Sequence, residues 1–138
     1  LNAYFGEYYI PQAVREELQR HQEIASFQNE LELLAFKVKH TNSVYLPLAG
    51  IEKGETEAIY LYQELNADLL LVDDKKAREV AELLSIQCTG TLAVLYQAKN
   101  LQLIPELRPL FLALLLHSRY YSKKILNTLL MEIGEQSI

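Results

Sequence analysis

The residues best suited to chemistry are carboxylates, and they crowd one stretch. In GETEAIYLYQELNADLLLVDDKKAR, from Gly54 to Arg78, Glu55 and Glu57 open an amphipathic segment and Asp73 and Asp74 close an apolar one. Convergent carboxylates are what a hard divalent cation such as Mg²⁺ or Mn²⁺ asks of a protein, since these ions take oxygen ligands and retain several waters. Glu17 is a third candidate. In PQAVREELQRH, helical spacing puts Ala13, Val14, Leu18 and His21 on one face, and Glu17 lies on that face while Glu16 points elsewhere. A carboxylate on an inward face is costly unless it is paired, hydrogen-bonded or bound to metal. The residues alone therefore offer Glu17, Glu55 or Glu57, and Asp73 or Asp74.

Other chemistries lack the residues they need. His21, His40 and His117 have no metal-ligand spacing, and no Ser-His-Asp or Cys-His signature is present. The only aspartates are Asp68, Asp73 and Asp74, so a receiver-domain reading has no phosphoacceptor on a later strand. No glycine-rich phosphate loop supports a nucleotide-binding fold. The single cysteine, Cys88, sits in the apolar context IQCTG and reads as a small buried hydrophobe in a reducing cytoplasm. The longest apolar run, Leu110 to Leu116, is far shorter than the roughly 18 residues of a spanning helix. A net charge of −5 argues against broad nonspecific duplex binding, although Lys75, Lys76, Arg78 and Lys99 offer a local basic surface.

The elements that must position the acids follow from periodicity. Tyr8–Ile10 reads as a short strand, with Pro11 placed where a helix can begin. Segment 27–34 reads as a helix and Ala35–Val38 as a strand, and Asn42–Lys53 as a connection with one helical turn. From Gly54 a helix buries Ala58, Leu61, Tyr62 and Leu65, and the all-apolar strand Leu69–Val72 is expected to be covered on both faces. Lys75–Leu84 is a helix buried through Ala77, Val80, Ala81 and Leu84, leaving Lys75, Lys76 and Arg78 outside. After the strand Ile86–Cys88, Thr89-Gly90-Thr91 is expected to cap the next helix. Pro105 and Pro109 precede an apolar helix through Leu116, and Ser122 caps a last helix that Gly134 ends. Alternating strands and helices in one 138-residue chain predict a single α/β domain with a parallel sheet.

Five blocks in order, with a matching tail, carry a family resemblance. They are FGEYYIPQAVREEL (Phe5–Leu18), GETEAIYLYQEL (Gly54–Leu65), ADLLLVDDKKAR (Ala67–Arg78), TGTLAVLYQAK (Thr89–Lys99) and LIPELRPL (Leu103–Leu110), followed by YYSKKILNTLLMEIGE. Together they resemble the PIN-domain proteins, in particular an uncharacterised bacterial and archaeal branch of nucleic-acid-binding proteins. The resemblance implies a three-layer α/β/α sandwich around a parallel sheet, and, for active members, Mg²⁺- or Mn²⁺-dependent cleavage of single-stranded or structured RNA. Many such proteins are toxins neutralised by a small antitoxin protein.

In the family's pattern the metal-binding acids fall on Glu17, on Glu57 in preference to Glu55, and on Asp73 in preference to Asp74. Glu17, Glu57 and Asp73 are thus the expected catalytic set, with Lys75, Lys76, Arg78 and Thr91 on the substrate side. Family members open with a central strand ending in an aspartate and then a helix, both before the segment that matches Leu1. The expected fold therefore lacks that strand and helix, which makes activity of this 138-residue form doubtful and association with a second copy an expectation. The alternative expectation is a non-catalytic PIN domain that binds RNA or a protein partner.

Overall fold

The computed structural model describes residues 1, 5–20, 32, 35–42, 46–117 and 121–138. Among these the elements are β1 (Ile10–Pro11), α1 (Gln12–Arg20), β2 (Val38–Lys39), α2 (Lys53–Leu65), β3 (Leu70–Leu71), α3 (Lys75–Leu83), β4 (Cys88–Thr89), α4 (Thr91–Asn100), α5 (Arg108–His117) and α6 (Lys123–Glu132). The chain is a mixed α/β protein with six helices and two short parallel strand pairs among the described residues. It forms two compact units, Leu1–Thr89 and Gly90–Ile138. The helix expected over 27–34 lies outside the described residues, apart from Glu32.

In the first unit β1 pairs with β2, Ile10 opposite Val38, and β3 pairs with β4, Leu70 opposite Cys88. Both pairs are parallel, and α3 is the crossover that a parallel β3–β4 connection requires. The core holds Ile59 from α2, Leu70 and Val72 from the β3 segment, Ala77 and Ala81 from α3, and Ile86. Burying a side chain of the size of Ile59 or Leu70 contributes about 1.5–3 kcal/mol. The alternation of β3 departs from the expectation of two covered faces. Leu70 and Val72 are buried, but Leu69 and Leu71 are 39% and 45% exposed. The N–H groups of Leu70 and Val72 donate to Gln87 and Thr89, so the backbone N–H of Leu71 points to the opposite edge of the strand.

Helix ends in this unit follow local chemistry. Asp74 caps α3, its Oδ1 accepting the Ala77 N–H at 2.8 Å. Asn66 ends α2 in the left-handed region at φ 47° and ψ 47°, a conformation that asparagine tolerates better than most residues.

The second unit is helical and closes on Leu107, Phe111, Leu126 and Leu130, all fully buried. Pro109 occupies the first turn of α5, where a missing N–H removes no helical bond. Glu135 takes the cap role for that helix, accepting the N–H groups of Leu107 and Arg108, and pairs with Lys99 at 3.2 Å. Ser122 caps α6 through the Ile125 N–H, as its position predicted. The cap expected from Thr89-Gly90-Thr91 takes another form: Gly90 is the N-cap of α4 and no side chain supplies the bond. Among the described residues no helix is long and apolar enough to cross a membrane.

Candidate metal centre

Two helices of the first unit bring carboxylates together. α1 carries Glu17 and α2 carries Gly54, Glu55 and Glu57 in its first turns. The Glu17 carboxylate lies so close to the α2 backbone that a Cβ built on Gly54 would stand 2.6 Å from Glu17 Oε1 and 3.3 Å from Val14 Cγ2. A side chain at 54 would occupy the space the carboxylate fills. Burial pushes the Glu17 carboxyl above its ordinary pKa, and the charges of Glu55 and Glu52 push it further. Arg20 and a hydrogen bond from the Gly54 backbone act in the opposite direction without cancelling the rise. Glu17 therefore sits in a field that disfavours its own charge, which an added cation would reverse.

Glu55 shares this locality. Its Oε2 is buried and has no hydrogen-bond partner. An orphaned carboxylate oxygen is expensive in a protein interior, and a ligand that accepts its lone pairs is one remedy.

Glu57 is placed differently. It is only 7% exposed, and its Oε2 accepts the Ala13 N–H at 2.8 Å, while Oε1 is 3.9 Å from Lys53 Nζ. Ala13 is in the first turn of α1, where backbone N–H groups have no partner within the helix. Glu57 thus caps α1 from 44 residues away. Lys53 also reaches Glu16 at 3.7 Å, and Glu16 accepts a bond from Gln12 on its own helix.

The adjacent aspartates divide similarly. Asp74 is the α3 cap, whereas Asp73 is exposed at the end of the β3 segment. Lys75 and Lys76 are exposed, with Lys75 paired to Glu79 at 3.8 Å. Arg78 departs from its expected outward position: its guanidinium donates to the Val72 carbonyl at 2.9 Å and is half-buried. Its charge also opposes the upward push that burial gives the Cys88 thiol. Thr91 is the first residue of α4, in the second unit.

The donor chemistry of Glu17 and Glu55 fits a hard divalent cation: all-oxygen, anionic, and with one oxygen left unsatisfied. Among the described residues no group of three His, Cys, Asp or Glu side chains converges closely enough to hold an ion. The pair would supply two ligands, with water filling other positions. Two contributors escaped sequence reasoning. Glu52 adds negative charge at the head of α2, and Gly54 clears room for Glu17. A glycine inside a helix was the available signal, because it costs about 1 kcal/mol against alanine and so marks a place where space calls for it.

A family model described as a PIN domain matches residues 1–135. No curated protein and no solved structure matches the chain. PIN domains are nuclease-type folds that generally depend on divalent metal, and the mixed α/β architecture with parallel strand pairs is consistent with that fold. On a match spanning nearly its whole length, the chain belongs to the PIN-domain family.

Proposed function

We propose that this protein is a PIN-type endoribonuclease dependent on Mg²⁺ or Mn²⁺, with Glu17 and Glu55 as the carboxylates that hold the ion. The observation that carries the reading is the buried, partnerless Oε2 of Glu55 beside a Glu17 whose charged form is disfavoured by its surroundings. When bound, a divalent cation would neutralise phosphate charge and polarise the scissile phosphodiester. Asp73, just after β3, is a further proposed acid of the reaction, outside the Glu17–Glu55 pair. Lys75 and Lys76, both exposed, are the proposed contacts to the RNA backbone, by charge. Arg78 contributes less, because its guanidinium already serves the Val72 carbonyl.

The test is cleavage of a fluorogenic single-stranded RNA with Mg²⁺ or Mn²⁺. Activity in the unaltered chain that falls at least about 100-fold in Glu55→Gln supports the proposal. Equal cleavage by both proteins sinks it. In its finer form the proposal makes the protein a cytoplasmic toxin held in check by a small antitoxin. Growth arrest on induced expression, relieved by Glu55→Gln, tests that form.

A second reading has its own support. With two carboxylates converging rather than three among the described residues, a non-catalytic PIN domain that binds RNA or protein is the alternative. RNA binding in EDTA without cleavage on adding Mn²⁺ would favour it.

A further inference from the structure

We infer that Glu57 is a positioning residue that sets the place of Glu17, and is not itself a ligand of the ion. This rests on the proposed metal role of Glu17 and Glu55.

The geometry is a reciprocal lock between two helices. Glu57 reaches from α2 to the first turn of α1, where its Oε2 takes the Ala13 N–H at 2.8 Å in a buried setting. Glu17 stands four residues further along α1, about one helical turn from Ala13, and leans on the first turn of α2 at Gly54. Fixing the Ala13 end of α1 therefore fixes the height at which Glu17 meets Gly54. Glu57 Oε1 faces Lys53 at 3.9 Å, so the second oxygen also has a cationic neighbour. Glu55 lacks such commitments at its buried Oε2.

A glutamine at 57 keeps an acceptor oxygen for the Ala13 N–H and loses the charge, whereas an alanine loses both. The experiment compares the unaltered chain with Glu57→Gln, Glu57→Ala and Glu55→Gln by two readouts. The first is amide hydrogen exchange at Ala13 in EDTA. The second is Mn²⁺ affinity, read from the electron paramagnetic resonance of free Mn²⁺. Glu57→Ala is expected to speed Ala13 exchange about five- to tenfold, as loss of a cap does, and to weaken Mn²⁺ binding with it. Glu57→Gln is expected to restore both to within about threefold of the unaltered protein. Glu55→Gln is expected to weaken Mn²⁺ binding at least about tenfold with Ala13 exchange unchanged.

Mn²⁺ binding lost as fully in Glu57→Gln as in Glu55→Gln, with Ala13 still protected, would make Glu57 a ligand and overturn the inference. Unchanged Ala13 exchange in Glu57→Ala would overturn the cap on which it rests. Failure of the unaltered chain to bind Mn²⁺ would overturn the metal reading and the positioning role with it. The exchange data would then still decide whether Glu57 is a cap.

Discussion

Glu17 and Glu57 each reach to the first turn of the other's helix. Glu57 on α2 accepts the Ala13 N–H of α1, and Glu17 on α1 lies against Gly54 of α2 and draws a hydrogen bond from its backbone. Helix N-termini favour negative charge, so both contacts are attractive on the same physical ground. Through these contacts α1 and α2 hold Glu17 where the charge of Glu55 is felt.

Gly54→Ala separates site geometry from fold stability. The added methyl would meet the end of a flexible side chain, Glu17 Oε1 at 2.6 Å, which can rotate away. Alanine also gains about 1 kcal/mol of helix propensity over glycine, so the unfolding free energy should stay within about 1 kcal/mol of the unaltered protein's. Mn²⁺ affinity, measured by calorimetry, should nonetheless fall at least about tenfold as the carboxylate leaves its place. Loss of stability with intact affinity would contradict the geometry.

Asp73 and Asp74 should answer different assays. Asp74→Ala removes the cap bond to Ala77 and should cost about 1 kcal/mol in urea denaturation. Asp73→Asn, at an exposed position after β3, should reduce RNA cleavage with the fold retained by circular dichroism. The reverse pattern would exchange the roles of the two residues.

Asn66 ends α2 with a positive φ of 47°. Asn66→Ala should destabilise the first unit by about 1 kcal/mol, and Asn66→Gly should match or exceed the unaltered protein. Chemical denaturation followed by circular dichroism measures both. An alanine variant as stable as the glycine variant would contradict the assigned conformation.

Stability of the second unit should depend on Glu135 and pH. Burial pushes its carboxyl up, but the N–H groups of Leu107 and Arg108, with Lys99, outweigh this and hold it below its ordinary value of 4.5. A depressed folded-state pKa means that its stabilising contribution is complete above the ordinary value and is lost as pH falls through the folded one. Glu135→Gln should therefore be less stable than the unaltered chain at neutral pH, with the difference shrinking as pH drops below 4.5. A pH-independent difference in melting temperature would contradict this.

Much of the helical framework was readable because helices announce themselves over many residues. The burial of Ala77 and Ala81, the stop at Gly134 and the cap at Ser122 all follow from local pattern and are found, whereas Leu84, expected on the same buried face, is 46% exposed. The strands were less readable. Leu69–Val72 looked buried on both sides, but alternation leaves Leu69 and Leu71 exposed, and a run of apolar residues cannot show which of its faces a protein covers. Thr91 looked like part of a cap, but hydroxyl capping depends on backbone angles that sequence does not display. The contact that Glu57 makes was beyond sequence for a similar reason. The residue that engages Glu57 is Ala13, distant in the chain and offering only a backbone N–H, which any residue but proline could provide. Gly54 was legible as a residue but not as a clearance for Glu17.

Glu17 and Glu55 are proposed together to hold a divalent cation. Calorimetric titration of Mn²⁺ into the unaltered 138-residue chain, Glu17→Gln and Glu55→Gln tests it most directly. Saturable binding near one ion per chain, weakened at least about tenfold by either substitution, is the predicted result. Binding that survives both substitutions unchanged, or no saturable binding by the unaltered chain, would contradict the account.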